Sequence, residues 1–122
     1  MELPVLVYDD DCGFCTWCAA FVDERSEVPI VGFSQLTPEL REYLPADYED
    51  CAHFVTADRV YSCGEAIEQA FVRTSVGSPV RPIIDRLRGI EAYNAAREWG
   101  YRRVADNRDL FGKLLSKSTE RN

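Results

Sequence analysis

The amino-acid sequence predicts an α/β fold, with a mixed four-stranded sheet, flanking helices and a helical C-terminal extension. Short apolar runs typical of buried strands alternate with stretches of helical periodicity. A strand–helix–strand unit comes first, and two strands separated only by a tight turn follow it. At 122 residues the chain has the length of one domain. We assign about 1–76 to the sheet-containing core and about 79–115 to the helical extension.

The elements follow from local patterns of apolar residues and breakers. Strands are predicted at 3–8, 28–33, 52–56 and 59–61, and helices at about 13–25, 37–44, 65–73, 83–87, 90–104 and 110–115. Asp11 is the expected N-cap of the first helix. Ser62 and Glu65 have capping-box spacing, which predicts Ser62 as the N-cap of the third helix. Gly100 is expected to interrupt the long C-terminal helix.

The order of these elements predicts the sheet topology. Two strands joined by a helix should lie parallel, because the crossover returns the chain to the same edge of the sheet. Two strands joined by a tight turn at 57–58 should be antiparallel. This arrangement is that of the thioredoxin fold.

Charge and hydropathy exclude several classes of protein. The chain carries 21 acidic and 14 basic residues other than histidine, a net charge of −7, which disfavours binding to nucleic acid or an anionic membrane surface. Its longest apolar runs are about half of the roughly 20 residues that a membrane span needs. The N-terminus lacks the basic and apolar regions of a signal peptide. We therefore expect a soluble cytoplasmic protein.

Five cysteines in such a chain indicate redox chemistry or metal binding more than a structural disulfide framework. Cys12 and Cys15 follow a buried strand directly and open a helix. Unpaired N–H groups at a helix start favour a thiolate, and a second thiol one turn away can close a disulfide. Thiol–disulfide exchange needs this pair, since one thiol attacks and the other resolves the mixed disulfide.

Two segments resemble the DCC family of thiol–disulfide oxidoreductases. Residues 8–15, Tyr-Asp-Asp-Asp-Cys-Gly-Phe-Cys, are similar to the family signature Tyr-Asp-Gly-Asp-Cys-x-Phe-Cys. Residues 101–112 are similar to its C-terminal pattern Tyr-x-x-Val-Ala-x-Asn-Arg-x-x-Phe-Gly. The resemblance implies a thioredoxin-like fold and a redox-active Cys12–Cys15 disulfide with no other cofactor. The residues expected to support this pair are Tyr8, Asp9, Asp11, Gly13 and Phe14.

The implied partners are protein or low-molecular-weight disulfides. The chain departs from the family and from thioredoxins at two places. Asp10 stands where the family usually has glycine, which adds negative charge beside Cys12. Thioredoxins place a cis-proline before the third strand, facing the two cysteines, whereas residues 49–52 contain no proline.

The other cysteines leave alternatives open. Cys18 shares the apolar stripe of the first helix, which favours a core thiol over a third metal ligand. Cys51 should lie in the loop facing Cys12, as an additional redox thiol, a metal ligand or simply a small residue. Cys63 is expected to be a buried thiol at the start of a helix. His53, within an apolar strand, is expected to be structural.

We thus expect a thiol–disulfide oxidoreductase in which Cys12 is the exposed nucleophile and Cys15 resolves. The helix N-terminus favours a Cys12 thiolate and the neighbouring aspartates oppose it by a similar amount, which predicts a cytosolic reductant and not a strong oxidant. The alternative is a zinc- or iron-binding protein, or an adaptor, that uses Cys12, Cys15 and Cys51.

Overall fold

The structure, a computed structural model, describes residues 3–106. Its strands are β1 (Val5–Tyr8), β2 (Ile30–Gly32), β3 (His53–Val55) and β4 (Val60–Ser62), and its α-helices are α1 (Gly13–Arg25), α2 (Pro38–Arg41), α3 (Gly64–Phe71), α4 (Arg81–Leu87) and α5 (Glu91–Asp106). Short 3₁₀ turns occupy Phe33–Gln35, Tyr48–Asp50 and Ser78–Val80. The predicted helix at 110–115 lies outside the described residues.

The four strands form one mixed sheet in the order β2-β1-β3-β4. β1 and β2 are parallel, with Val7 opposite Val31, and helix α1 connects them. β3 is antiparallel to both of its neighbours, β1 and β4. The predicted α/β class, the mixed four-stranded sheet and the flanking helices are confirmed.

Alternate residues of β1 enter two apolar clusters, because successive strand side chains point to opposite faces of the sheet. Leu6 and Phe54 pack with residues of α1 and α3 in one cluster. Val5 and Val7 pack with Leu40 of α2 in the other. The sheet therefore separates α1 and α3 from α2, and the end of β1 delivers the chain directly to the start of α1.

A buried carboxylate attaches α5 to α3. Glu68 of α3 accepts a hydrogen bond from the Tyr93 hydroxyl at 2.8 Å and forms an ion pair with Arg97 at 2.7 Å. Arg88, which follows α4, lies 2.9 Å from the other oxygen of Glu68. A charged carboxylate is rarely buried without such partners. This network holds the N-terminal half of α5 against α3.

Two predicted caps are wrong, for local reasons. The N-cap of α1 is Cys12, not Asp11, whose N–H instead bonds to the Asp9 side chain at 3.0 Å. The N-cap of α3 is Cys63, not Ser62. Ser62 lies in β4, and its hydroxyl is 2.8 Å from a ring nitrogen of His53. Its side chain therefore serves the sheet and not the helix.

The predicted interruption of α5 at Gly100 is also wrong, since the helix runs from Glu91 to Asp106. A glycine inside a helix costs about 1 kcal/mol relative to alanine but does not by itself break the helix. Within residues 3–106, no helix combines the length and the apolar character that a membrane crossing requires.

Candidate redox site

The sulfur of Cys12 caps helix α1. Its Sγ accepts a hydrogen bond from the backbone N–H of Cys15, with a distance of 3.3 Å between sulfur and nitrogen. Its carbonyl accepts the first bond of the helix, from Thr16 at 2.9 Å. The sulfur thus replaces the hydroxyl or carboxylate oxygen that usually binds the free N–H groups of a helix start. The sulfur therefore lies at the positive end of the helix dipole.

The two thiols differ in exposure, and the difference is opposite to the expectation. Cys12 is only 9% exposed, whereas Cys15 is half-buried. The expected exposed position of Cys12 is therefore wrong, because the capping sulfur folds back over the first turn of α1. Cys12, Cys15 and Cys18 all carry thiols.

The supporting residues lie around this turn in different ways. Asp9 accepts from Asp11, and its carbonyl accepts from the N–H of Cys12 at 3.3 Å. Asp11 and Gly13 are exposed, and Phe14 is half-buried. Burial raises the pKa of the Tyr8 hydroxyl at the end of β1, and the nearby Asp10 and Asp23 carboxylates add to this. The aspartate turn thus shapes the backbone that presents Cys12 to the helix.

Asp10 has a structural role at the position where the DCC signature has glycine. Its carboxylate accepts hydrogen bonds from the Ser34 hydroxyl and from the Ser34 N–H, the latter at 3.3 Å. These bonds hold the pKa of Asp10 below its usual value. A Cβ at Gly32 would overlap the Asp10 side chain, so glycine is needed there for this close approach. Asp10 thereby links the cysteine turn to the end of β2.

A cavity of about 440 Å3 lies next to the two cysteines. Side chains of α1, α3 and α5 and of the segment before β3 line it, and most of them are apolar. Of the predicted site residues, the lining includes Tyr8, Asp9, Phe14, Cys15 and Cys51. Cys12, Asp11 and Gly13 are not among the described residues that line it. Cys15 therefore faces the cavity, while Cys12 lies at the helix cap beside it.

Cys18 also lines this cavity, one turn after Cys15. Burial raises the pKa of its thiol to about 12, and the nearby Cys12 contributes. Cys18 therefore stays protonated at neutral pH and behaves as an apolar side chain, in agreement with the interpretation as a core thiol.

Cys51 and Cys63 form a disulfide, which the sequence did not predict. Their Cα atoms are 5.1 Å apart, and 12 positions separate them along the chain. The expectation that Cys63 is an isolated buried thiol is therefore wrong. Cys63 has φ 60°, which is unusual for a residue other than glycine and typically costs about 1–3 kcal/mol. Cys51 reaches the cavity that Cys15 lines, whereas Cys63 precedes α3.

The disulfide removes Cys51 from the metal-ligand set of Cys12, Cys15 and Cys51. Among residues 3–106, no group of three or more histidine, cysteine or acidic side chains is arranged to hold a metal ion. His53 is occupied by structural bonds. Its Nε2 lies 2.8 Å from the Tyr48 carbonyl and so donates to it, while Nδ1 accepts from the Ser62 hydroxyl. Burial lowers its pKa, consistent with a neutral ring.

Tyr101 is a site residue whose role sequence reasoning missed. Its hydroxyl oxygen accepts a hydrogen bond from the N–H of Ala52 at 3.3 Å, directly before β3. Burial raises the pKa of this hydroxyl, and the nearby Cys15 and Cys18 raise it further. The available signal was its place as the first residue of the C-terminal motif, but the pattern does not show what it contacts.

Residues 6–113 match the model of a family described as DCC1-like thiol-disulfide oxidoreductase. No curated protein and no solved structure matches the chain.

Proposed function

The chain belongs to the DCC1-like thiol–disulfide oxidoreductase family, and from this premise we propose that Cys12 and Cys15 form its redox-active centre. We infer that it acts as a reductant of protein or small-molecule disulfides in the cytoplasm, with the Cys12–Cys15 pair as the group that reacts with the substrate and with no bound cofactor. The observation that carries the proposal is the N–H of Cys15 donated to the sulfur of Cys12.

In the proposed reaction the Cys12 thiolate attacks one sulfur of the substrate disulfide. The substrate S–S bond breaks, and its electron pair leaves on the other sulfur, which takes a proton. The thiolate of Cys15 then attacks Cys12 in the mixed disulfide and releases the second substrate thiol. The protein gains the Cys12–Cys15 disulfide, the substrate gains two electrons and two protons, and an external dithiol restores the starting state.

The α1 cap supports these two roles in different ways. Cys12 is positioned for attack because the Cys15 N–H holds its sulfur at the positive end of α1. Cys15 is within reach for resolution because it lies one turn further along α1. The low exposure of Cys12 means that the substrate must enter beside the cap, where Cys15 and the cavity are open to it.

The cavity predicts which disulfides react best. Its acidic lining includes Asp9, Glu49 and Asp50, and its basic residue Arg97 already forms an ion pair with Glu68. We expect neutral or cationic disulfides with apolar groups to react faster than the anionic oxidised glutathione. Cystamine and oxidised glutathione provide the test, and their rate ratio should fall as salt rises, since ions screen these charges. An unchanged ratio would show that the acidic residues do not select the substrate.

The activity is tested by reduction of insulin disulfides with dithiothreitol as electron donor. The wild type should accelerate the reaction, and Cys12→Ser should lose the activity at least about 100-fold because the nucleophile is gone. The matched control is Cys18→Ser, which removes a cavity thiol that stays protonated. If Cys12→Ser keeps the wild-type rate, or Cys18→Ser loses it equally, the proposed centre is wrong.

A further inference from the structure

Two sulfur pairs meet at the cavity, one through Cys15 and the other through Cys51. We propose that the Cys51–Cys63 disulfide is a second redox centre, which exchanges electrons internally with Cys12 and Cys15. This proposal rests on the proposed function, because it requires the first pair to be redox-active. The protein would then hold two dithiol–disulfide pairs, only one of which lies at the α1 cap.

The cavity indicates which sulfur attacks which. Cys15 and Cys18 of α1 line the cavity together with Cys51. Cys18 stays protonated, so it is a poor nucleophile. Of the two cysteines in the disulfide, Cys51 lines the cavity, whereas Cys63 lies outside the lining at the start of α3. The route therefore runs from Cys15 to Cys51.

The exchange balances without an external reagent. The Cys15 thiolate attacks the sulfur of Cys51, the Cys51–Cys63 bond breaks, and its electron pair leaves on Cys63, which takes a proton. Cys12 then attacks Cys15 and displaces Cys51, which takes the second proton. The products are a Cys12–Cys15 disulfide and two thiols, Cys51 and Cys63. Two electrons have moved from the first pair to the second, and the reverse sequence returns them.

The backbone at Cys63 makes it a good leaving group. Its φ of 60° is unfavourable for a residue with a side chain, and cleavage of the bond to Cys51 gives its backbone freedom to relax. This feature favours attack on Cys51 with departure of Cys63.

Tyr101 positions the segment that carries Cys51, the cysteine attacked in the exchange. Its hydroxyl binds the N–H of Ala52, the residue directly after Cys51, and its ring lines the same cavity. Burial raises the pKa of its hydroxyl, and the nearby Cys15 and Cys18 add to this. Tyr101 thus connects α5, the segment that carries Cys51 and the thiols of α1.

The test is a Cys12→Ser variant purified with Cys51–Cys63 oxidised. Without Cys12 the exchange must stop at the first step. After incubation at neutral pH, acid quenching, alkylation and peptide mapping, we expect a Cys15–Cys51 linkage with a released Cys63 thiol. It should reach roughly one molecule in ten, as expected for exchange within tenfold of balance. Cys12→Ser/Cys15→Ser should lack the linkage, and Cys12→Ser/Cys18→Ser should retain it.

A second readout uses the wild type with one disulfide per molecule, prepared by partial oxidation and separately by partial reduction. Both preparations should relax to the same ratio of Cys12–Cys15 to Cys51–Cys63 forms. A ratio that keeps a memory of the preparation, with only Cys51–Cys63 found in Cys12→Ser, would overturn the proposal. If the wild type still reduces insulin in that case, the proposed function stands. If the wild type does not reduce insulin but the Cys15–Cys51 linkage forms in Cys12→Ser, only the reaction with external disulfides is rejected.

Discussion

Cysteines occupy the N-cap positions of both α1 and α3, yet their sulfurs do different things. In α1 the sulfur of Cys12 itself accepts a helix N–H. In α3 the sulfur of Cys63 is bonded to Cys51, and the N–H of Gly64 is satisfied by the carboxylate of Glu98 at 2.9 Å. One helix start thus binds a thiol, and the other holds a disulfide.

The difference shows that a cysteine at a helix N-terminus does not by itself place its sulfur on the free N–H groups. What matters is which group satisfies the free N–H groups. At α1 the turn formed by Asp9 leaves Cys12 in extended backbone, with its sulfur over the first turn. At α3 the positive φ of Cys63 and the carboxylate from α5 leave its sulfur available to Cys51. The following predictions test this contrast, from the largest expected effect to the smallest.

The largest effect should separate activity from capping at α1. Both Cys12→Ser and Cys12→Ala should lose at least about 100-fold of the exchange rate, since neither carries a nucleophilic sulfur. Serine is a preferred N-cap and alanine is not. The free energy of unfolding of Cys12→Ala should therefore be about 0.5–2 kcal/mol lower than that of Cys12→Ser. Urea unfolding of both variants checks this. Equal stabilities would mean that the Cys12 side chain does not cap α1.

At α3 the second cysteine pair should also contribute to stability. The double variant Cys51→Ser/Cys63→Ser should lower the free energy of unfolding by about 2–3 kcal/mol, because the bond closes a short loop in the unfolded chain. Cys51→Ser/Cys63→Gly should lose about 1 kcal/mol less, since glycine tolerates positive φ. Urea unfolding without reductant measures both. If the glycine variant is the less stable one, the backbone at position 63 is not strained.

The cap of α3 can be removed without changing a cysteine. Glu98→Ala should cost about 1 kcal/mol, because it leaves the Gly64 N–H without its acceptor. Glu98→Gln is the matched control, since its amide oxygen can still accept. Thermal or urea unfolding gives the difference, and equal losses in both variants would assign the effect to the charge and its ion pair with Arg97.

The smallest effect is the pH dependence that His53 contributes. Burial lowers its pKa in the folded protein below the ordinary value of 6.5. As the pH falls below about 6.5, the unfolded chain binds a proton that the folded protein resists, so stability decreases towards the lowered pKa. The free energy of unfolding, measured between pH 7.5 and pH 5 for the wild type and for His53→Gln, tests this. The variant should show a shallower slope, and identical slopes would contradict it.

The first cysteine pair could be predicted because all its determinants are local. One short segment contains a buried strand, a turn-forming run of aspartates and the helical periodicity that follows Cys12. Such local patterns specify local structure. The mixed sheet followed similarly from the order of strands and helices. The predicted cap at Asp11 is wrong because Asp11 and Cys12 can both accept an N–H, and only the backbone geometry distinguishes them.

The second pair could not be predicted because its determinants are tertiary. Cys51 and Cys63 meet only when β3 and β4 pair and bring the two strand ends together, as the bond from the Cys63 N–H to the Ala52 carbonyl shows. The contact of Tyr101 with Ala52 spans 49 positions and depends on how α5 packs. The role of Asp10 likewise required the position of Ser34 beside it.

The central claim is that the capping sulfur of Cys12 attacks the substrate disulfide. Cys15→Ser tests it most directly, because it keeps the backbone N–H that binds Cys12 but removes the thiol that resolves the mixed disulfide. After incubation with cystamine and peptide mapping, we expect a stable adduct on Cys12 with Cys51–Cys63 intact. An adduct on Cys18, Cys51 or Cys63, with Cys12 unmodified, would contradict the account.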